Sequence, residues 1–298
     1  MKRIATSFES EGLRCAGTLL LPDHGERAPV IVMAHGFAGV RAMLMPHAER
    51  FVDAGYAVYL FDYRSFGDSE GQPRHWVDPF RHLEDWDAAI RHVKTLKDVD
   101  VQRMVLWGTS LSGGHVVCLA ARGGHRLAAV IAGHPLMSGL GAVAGMPLRK
   151  TLRLIVAGLR DLAGSLVGQA HYMPVVGRPG DFAVLTGPEA WDGMAQLSAI
   201  IEVPWENRVL ARVALKIARY NPIRSAPRVR VPALVIAGAK DSIVPARTAR
   251  EAAARMPRGE FVLHDSDHFQ PYYGEYLDEN VRVQLDFLRR HVEITKAG

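Results

Sequence analysis

The chain has 298 residues, 48% of them hydrophobic and 22% charged, which suits a globular protein with a large core: one α/β domain with an inserted segment. The net charge of +5 would suit nucleic acid, but the 36 Lys and Arg are dispersed among 31 Asp and Glu with no basic run interleaved with aromatics, which argues against it. No apolar run of about 20 residues is present to span a membrane, residues 1–9 hold no signal-peptide core, and two cysteines (Cys15 and Cys118) offer neither a disulfide framework nor a metal spacing; the expectation is a cytoplasmic protein.

In chain order, residues 12–21 read as a strand and residues 22–29 as a turn. Residues 30–34 are wholly apolar, the mark of a strand covered on both faces of a parallel sheet. A helix is predicted over residues 46–54, closed by Gly55, then a strand over residues 56–61. A polar loop (residues 62–69) leads to an amphipathic helix over residues 77–96, a strand over 101–107, a helix over 115–122 and a buried strand over 128–132. At His134-Pro135 the alternation stops. Residues 136–225 carry one amphipathic helix, in which Leu148, Leu152, Ile155, Leu159 and Leu162 share a face, and a second helix over residues 208–220. The pattern resumes with a strand over 233–237, a helix over 246–255, a strand over 261–263 and a helix over 279–291. Alternating strands and helices imply a mostly parallel central sheet flanked by helices. Residues 1–135 and 226–298 then form the core domain, and residues 136–225 an inserted helical cap. The apolar face of helix 147–162 also offers a contact for a homodimer through the cap.

In open sheets of this kind ligands bind at the carboxyl ends of the strands, and there the chain places its reactive side chains. An apolar run ends at Gly108, Ser110 follows two residues later, and a helix-compatible stretch starts at once. Small residues at Gly108 and Ser112 permit the sharp turn that lifts a hydroxyl above the strand ends, a G-x-S-x-G elbow with serine in its last place. Asp241 follows strand 233–237 and His268 follows strand 261–263, in the order Ser, Asp, His that such a sheet requires. A serine hydroxyl is a weak acid, so the chemistry needs an imidazole to take its proton and a carboxylate to hold the imidazole tautomer. The backbone N–H groups of Leu111, next after the nucleophile, and Phe37, in the His35-Gly36-Phe37 loop, are placed to receive the charge that develops on an attacked carbonyl.

Each residue also has a purely structural reading. Ser110 suits a helix cap, and Asp241 suits a turn or the N-cap of helix 246–255. Asp265 and Asp267 compete for the carboxylate role, but so close to His268 they suit shaping the loop better. His35 is a candidate substrate contact or, on the stronger reading, the organiser of its loop. His115 reads as a helix-face residue, and Asp62 and Arg64 as pins of the turn beneath the site. Gly139-Leu140-Gly141 with Gly145 imitates a dinucleotide loop but opens the inserted segment instead of a βαβ unit. The histidines lack an H-E-x-x-H or comparable metal spacing, and Arg149, Arg153 and Arg160 read as a solvated helix face.

These stretches resemble the α/β-hydrolase superfamily over essentially the whole chain outside the cap. The likeness rests on His35-Gly36-Phe37, on Asp62-Tyr63-Arg64-x-Phe66-Gly67-x-Ser69, on Gly108 to His115, on Asp241-x-x-Val244-Pro245 and on Asp267-His268-Phe269. Within it, residues 62–69 and 108–115 are most similar to a microbial branch of carboxylesterases, dienelactone-hydrolase-like enzymes and fungal polyketide acyltransferases. Ser65 and Ser112 stand where glycine is commoner. The resemblance implies Ser110, Asp241 and His268 as catalytic triad, Phe37 and Leu111 as oxyanion-hole donors, and no cofactor.

The expected function is a serine esterase that cleaves carboxylic esters of small to medium, largely apolar acyl groups through an acyl-enzyme on Ser110. Its partner is a small-molecule ester or acyl substrate, with the cap and His35 as candidate contacts. The same triad with an alcohol, thiol or amine in place of water makes an acyltransferase or thioesterase. A non-catalytic binding module on this fold typically lacks a triad member, and none is missing here.

Overall fold

The order of the strands follows from which of them are apolar on both faces. In the computed structural model, which describes residues 1–23, 27–201 and 203–294, the first strand β1 (Lys2–Ser10) alternates exposed and buried residues and lies at an edge. It pairs antiparallel with β2 (Leu13–Leu21). The turn expected over residues 22–29 lies partly outside the described residues. Then come β3 (Ala28–Ala34), α1 (Met45–Asp53), β4 (Ala57–Phe61), α2 (Pro79–Val93), β5 (Val99–Thr109), α3 (Leu111–Arg122) and β6 (Ala129–Gly133). The inserted stretch contributes α4 (Gly139–Ala144), α5 (Leu148–Ser165), β7 (Tyr172–Met173), α6 (Ala190–Ala199) and β8 (Val209–Leu210). The chain returns with β9 (Ala233–Gly238), α7 (Ala246–Arg255), β10 (Gly259–His264) and α8 (Gly274–His291).

Eight strands form one sheet in the order β1-β2-β4-β3-β5-β6-β9-β10, antiparallel at β1, β2 and β4 and parallel from β4 onward. Every residue of β3 and β4 is buried, because helices cover both faces of a parallel sheet. The carboxyl ends of β3, β5, β9 and β10 therefore lie side by side with β6 among them, and their following loops converge. Local chemistry sets the boundaries. Asp78 accepts a hydrogen bond from the Phe80 N–H (3.1 Å) with Pro79 in the first turn, so α2 starts at residue 79. The glycine run that imitates a dinucleotide loop is the short helix α4, capped by the Ser138 hydroxyl on the Gly141 N–H (2.9 Å).

The inserted stretch departs from expectation in two ways. The predicted helix over residues 208–220 is instead β8 followed by two 3-10 turns, Ala211–Leu215 and Ile217–Arg219. Val209 and Leu210 are taken up by pairing with β7, and the Asp161 carboxylate captures the Arg212 backbone N–H (2.9 Å) that an α-helix would use. The second departure concerns α5. Its apolar stripe points to solvent: Leu148 is 74%, Leu152 54% and Leu159 53% exposed. The inward face is Leu154, Ala157, Gly158 and Asp161. Asp161 is wholly buried and receives both Nε (2.6 Å) and Nη2 (2.9 Å) of Arg212, while Gly158 sits so close to Leu215 and the Ala211 carbonyl that a Cβ would stand 2.9 Å and 3.1 Å from them. No helix among the described residues is long and apolar enough to cross a membrane.

Candidate active site

β5 runs straight into a sharp turn. Ser110 adopts φ 55° and ψ −121°, a conformation that side chains rarely occupy, and is held there from both sides: its N–H donates to the Gly133 carbonyl and its carbonyl accepts from the Leu136 N–H, each at 2.9 Å. The turn is tight enough that a Cβ on Gly108 would stand 2.3 Å from the Ser112 carbonyl oxygen. Ser112 is tolerated in the last elbow position because its hydroxyl accepts from the Tyr63 hydroxyl (3.0 Å), which in turn accepts from the Trp86 indole N–H (2.9 Å). Ser65, the other serine at a customary glycine position, takes φ 72°. α3 starts at Leu111, so four residues predicted as turn are helix.

The structure brings Ser110, His268 and Asp241 together. His268 Nε2 lies 3.1 Å from Ser110 Oγ, and its Nδ1 lies 2.7 Å from Asp241 Oδ2. All three are buried, with Ser110 9% exposed. Burial alone lowers the pKa of the His268 imidazole, but the Asp241 charge and hydrogen bond, aided by Glu189 and Asp267, turn the net shift upward. Burial likewise raises the Asp241 carboxyl, and the His268 pairing and the Val244 N–H outweigh it, so its net shift is downward. Asp241 fills two roles: Oδ1 accepts from the Ile243 (2.9 Å) and Val244 (2.8 Å) N–H groups, shaping the turn, while Oδ2 faces His268. Pro245, not Asp241, occupies the N-cap of α7. The competing acids are engaged elsewhere. Asp267 accepts from the Phe269 and Gln270 N–H groups (both 2.8 Å), and Asp265 pairs with Lys240 (2.9 Å).

Comparison with known proteins fits this geometry. The model of a family described as serine aminopeptidase, S33, matches residues 25–270. The chain is an α/β hydrolase of this family. A protein of Acinetobacter baumannii (strain MDR-ZJ06), named quorum-quenching protein AidA, is 41% identical over 290 residues, covering 96% of this chain and 94% of its own. Polyketide transferase grgF of Penicillium sp. is 27% identical over 290 residues, covering 95% and 94%. The crystal structure of GrgF from Penicillium sp. sh18 superposes with a TM-score of 0.84 at 24% identity, over 98% of this chain and 99% of that one.

In this hydrolase the loop after β3 passes directly over the serine. A Cβ on Gly36 would stand 2.9 Å from Ser110 Cβ, so only glycine lets the loop approach, and Phe37 and Leu111 both line the cavity above Ser110. Trp205 from the inserted stretch steadies that loop, its indole N–H donating to the Ala38 carbonyl at 2.8 Å. His35 is buried, with Nδ1 3.0 Å from the Gly36 carbonyl and its ring edge-on to Tyr63 at 4.7 Å; burial lowers its pKa, and it organises the loop. Asp62 accepts from the Arg41 N–H (2.7 Å) and pairs with the Arg41 guanidinium, and Arg64 pairs with Asp85 and Glu84, so both pin the turn beneath. His115 lies on a face of α3 as expected, and that face is buried: its Nδ1 meets the Tyr220 hydroxyl at 2.7 Å, tying α3 to the inserted stretch. Burial pushes the Cys15 thiol up to about 12 and also raises Cys118, so neither competes as a nucleophile at neutral pH.

Above Ser110 opens a cavity of about 760 Å³ between the strand ends and the inserted stretch. A second space of about 270 Å³ adjoins it beneath α5, sharing Phe37, Val143, Met146, Val184 and Ile217, with Thr151 its one polar side chain. Arg149, Arg153 and Arg160 are exposed, as expected of a solvated face, and Arg149 and Arg153 also border the larger cavity, as does Lys150. The sequence gives no hint of His134, whose ring stands edge-on to His268 at 6.2 Å and which burial pushes down to about 3, keeping it neutral beside the pair. Glu189 is a further addition. It accepts from the Ser242 N–H (2.8 Å) and hydroxyl (2.6 Å), bracing the Asp241 loop. No sequence signal marks it, because its partner lies 53 positions away.

Proposed function

We propose that the protein is a serine hydrolase that cleaves esters of small to medium, largely apolar acyl groups through an acyl-enzyme on Ser110. The observation that carries this reading is the chain of hydrogen bonds from Ser110 to His268 (3.1 Å) to Asp241 (2.7 Å) at the floor of a largely apolar-walled cavity. With the Nδ1 proton held by Asp241, Nε2 is the free base that takes the Ser110 proton as Oγ attacks the carbonyl. The imidazolium so formed is stabilised by the ionised Asp241, then protonates the leaving group. The carbonyl oxygen, now negative, meets the N–H groups of Phe37 and Leu111; each such donor is typically worth about 3 kcal/mol of barrier. The adjoining 270 Å³ space accepts the acyl chain. A Ser110→Ala variant should abolish turnover of p-nitrophenyl esters of graded acyl length, and undiminished turnover by that variant contradicts the proposal.

Acyl transfer is the second reading. Polyketide transferase grgF, named for such a transfer, is a relative over nearly the full chain. With a second alcohol or thiol present, this reading expects an acylated acceptor in place of free acid.

A further inference from the structure

Three cations stand together on one side of the Ser110 cavity. Arg149, Lys150 and Arg153 occupy the first two turns of α5, and all three line the cavity. Among the described residues no carboxylate pairs with any of them, although other arginines of the chain, such as Arg41, Arg64, Arg212 and Arg290, are paired. The Lys150 ammonium donates to two neutral acceptors, the Val184 carbonyl (3.0 Å) and the Thr186 hydroxyl (2.7 Å), and the Arg153 guanidinium lies over the Phe182 ring at 4.6 Å. The single acid of the cavity lining, Asp181, accepts from the Arg178 N–H (2.7 Å), which leaves the lining with an excess of positive charge. Arg149 and Lys150 also stand in the first turn of their helix, where the dipole disfavours cations, and no acid shares that turn. Arg149 and Arg153 are exposed to solvent, so an anion entering the cavity meets two guanidinium groups without first displacing a carboxylate from them. The adjoining space beneath α5 is apolar, so a greasy space and a cation-bearing wall both belong to the cavity that Ser110 lines.

We propose that the substrate is an amphiphilic anion: an apolar chain in the space beneath α5, the reacting carbonyl over Ser110, and an oxyanion group held by Arg149, Lys150 and Arg153. This rests on Ser110 being the acylated residue and adds the substrate's charge. Two guanidinium forks suit a carboxylate or a phosphate, each of which accepts paired N–H bonds.

The test is a ratio of kcat/KM values, anionic ester over neutral isostere, for purified full-length protein. p-Nitrophenyl hexanoate is the neutral reference. Mono-p-nitrophenyl adipate carries a carboxylate at the end of the acyl chain, and 3-carboxy-4-nitrophenyl hexanoate carries one on the leaving group, so the pair reports which side of the scissile bond the cations serve. Hexyl phosphate and hexanoate, compared as inhibitors, separate phosphate from carboxylate. The proposal expects a ratio of about tenfold for one anionic ester at low salt, shrinking as NaCl is added. In Arg149→Gln/Arg153→Gln the ratio falls toward one, and in Arg153→Glu it falls further; circular dichroism and phosphonate labelling of Ser110 certify that each variant is folded. A wild-type ratio at or below one for both anionic esters overturns the proposal, as does a ratio that the double variant leaves unchanged. Loss of neutral-ester turnover and of phosphonate labelling in the wild type is a different outcome, and it overturns the Ser110 reading itself.

Discussion

β3 and β4 expose nothing along their length, whereas α5 turns a row of leucines to solvent and keeps Asp161 and Gly158 inside. The two regions are held by different forces. The sheet strands are fixed by apolar burial on both faces, worth roughly 1.5–3 kcal/mol for each large side chain. α5 is fixed by a buried carboxylate–guanidinium pair and by close backbone approach at a glycine. Apolar burial holds the reactive loops in one geometry, while polar anchoring holds a wall whose outer residues are free to differ. On the proposed function, the catalytic geometry belongs to the sheet, and substrate selection to the inserted stretch.

Four variants sharpen or break that contrast. Asp241→Asn leaves the fold intact but removes the charge that fixes the His268 tautomer, and kcat should drop by about 10⁴-fold in ester turnover. Ile31→Ala, in the middle of β3, should cost roughly 2–5 kcal/mol of global stability, read from the denaturant midpoint. Asp161→Ala strands the Arg212 guanidinium in a nearly dry setting at a cost of about 3 kcal/mol. Here hydrogen exchange should quicken in the α5 amides while β3 and β4 stay protected; equal quickening in both regions would erase the contrast. Leu152→Glu with Leu159→Glu, on the outer stripe, should change monomer stability by no more than about 0.5 kcal/mol. That stripe alternates the two helical steps of a helix–helix seam, running from Leu148 through Leu152, Ile155 and Leu159 to Leu162. Sedimentation at several concentrations should therefore find a concentration-dependent dimer in the wild type and a monomer in the double variant.

The same contrast explains what could be read from the sequence. Residues 30–34 and 233–237 announce buried parallel strands because nothing polar interrupts them, and Gly108 with Ser110 announces an elbow because an apolar strand runs into the spacing and a helix-compatible stretch follows it. β1 escapes notice because an edge strand with one wet face reads as an unremarkable polar stretch. In α5, helical periodicity tells which residues share a face but not which face turns inward. That choice rests on Arg212, 51 positions from Asp161, and no local pattern carries it. Arg149 and Arg153 illustrate the same limit: the charged face is exposed as helical spacing suggests, but that it borders a cavity depends on the facing wall, which no local pattern shows.

Proton linkage gives the account its sign. The folded-state pKa of His268 lies above the ordinary histidine value of 6.5, so its pairing with Asp241 stabilises the fold below that value and fades as pH rises through the raised pKa. The lowered Asp241 carboxyl contributes above its ordinary 3.8 and fades as pH falls through its depressed value. Activity runs opposite to the histidine's contribution, because attack requires the neutral imidazole. The most direct measurement is the pH dependence of inactivation by a fluorophosphonate, with the adduct located by peptide mass spectrometry. The account predicts a single adduct on Ser110, formed at a rate that rises with pH through a midpoint above 6.5. An adduct on another residue, or a Ser110 rate indifferent to pH and to Asp241→Asn, would contradict it.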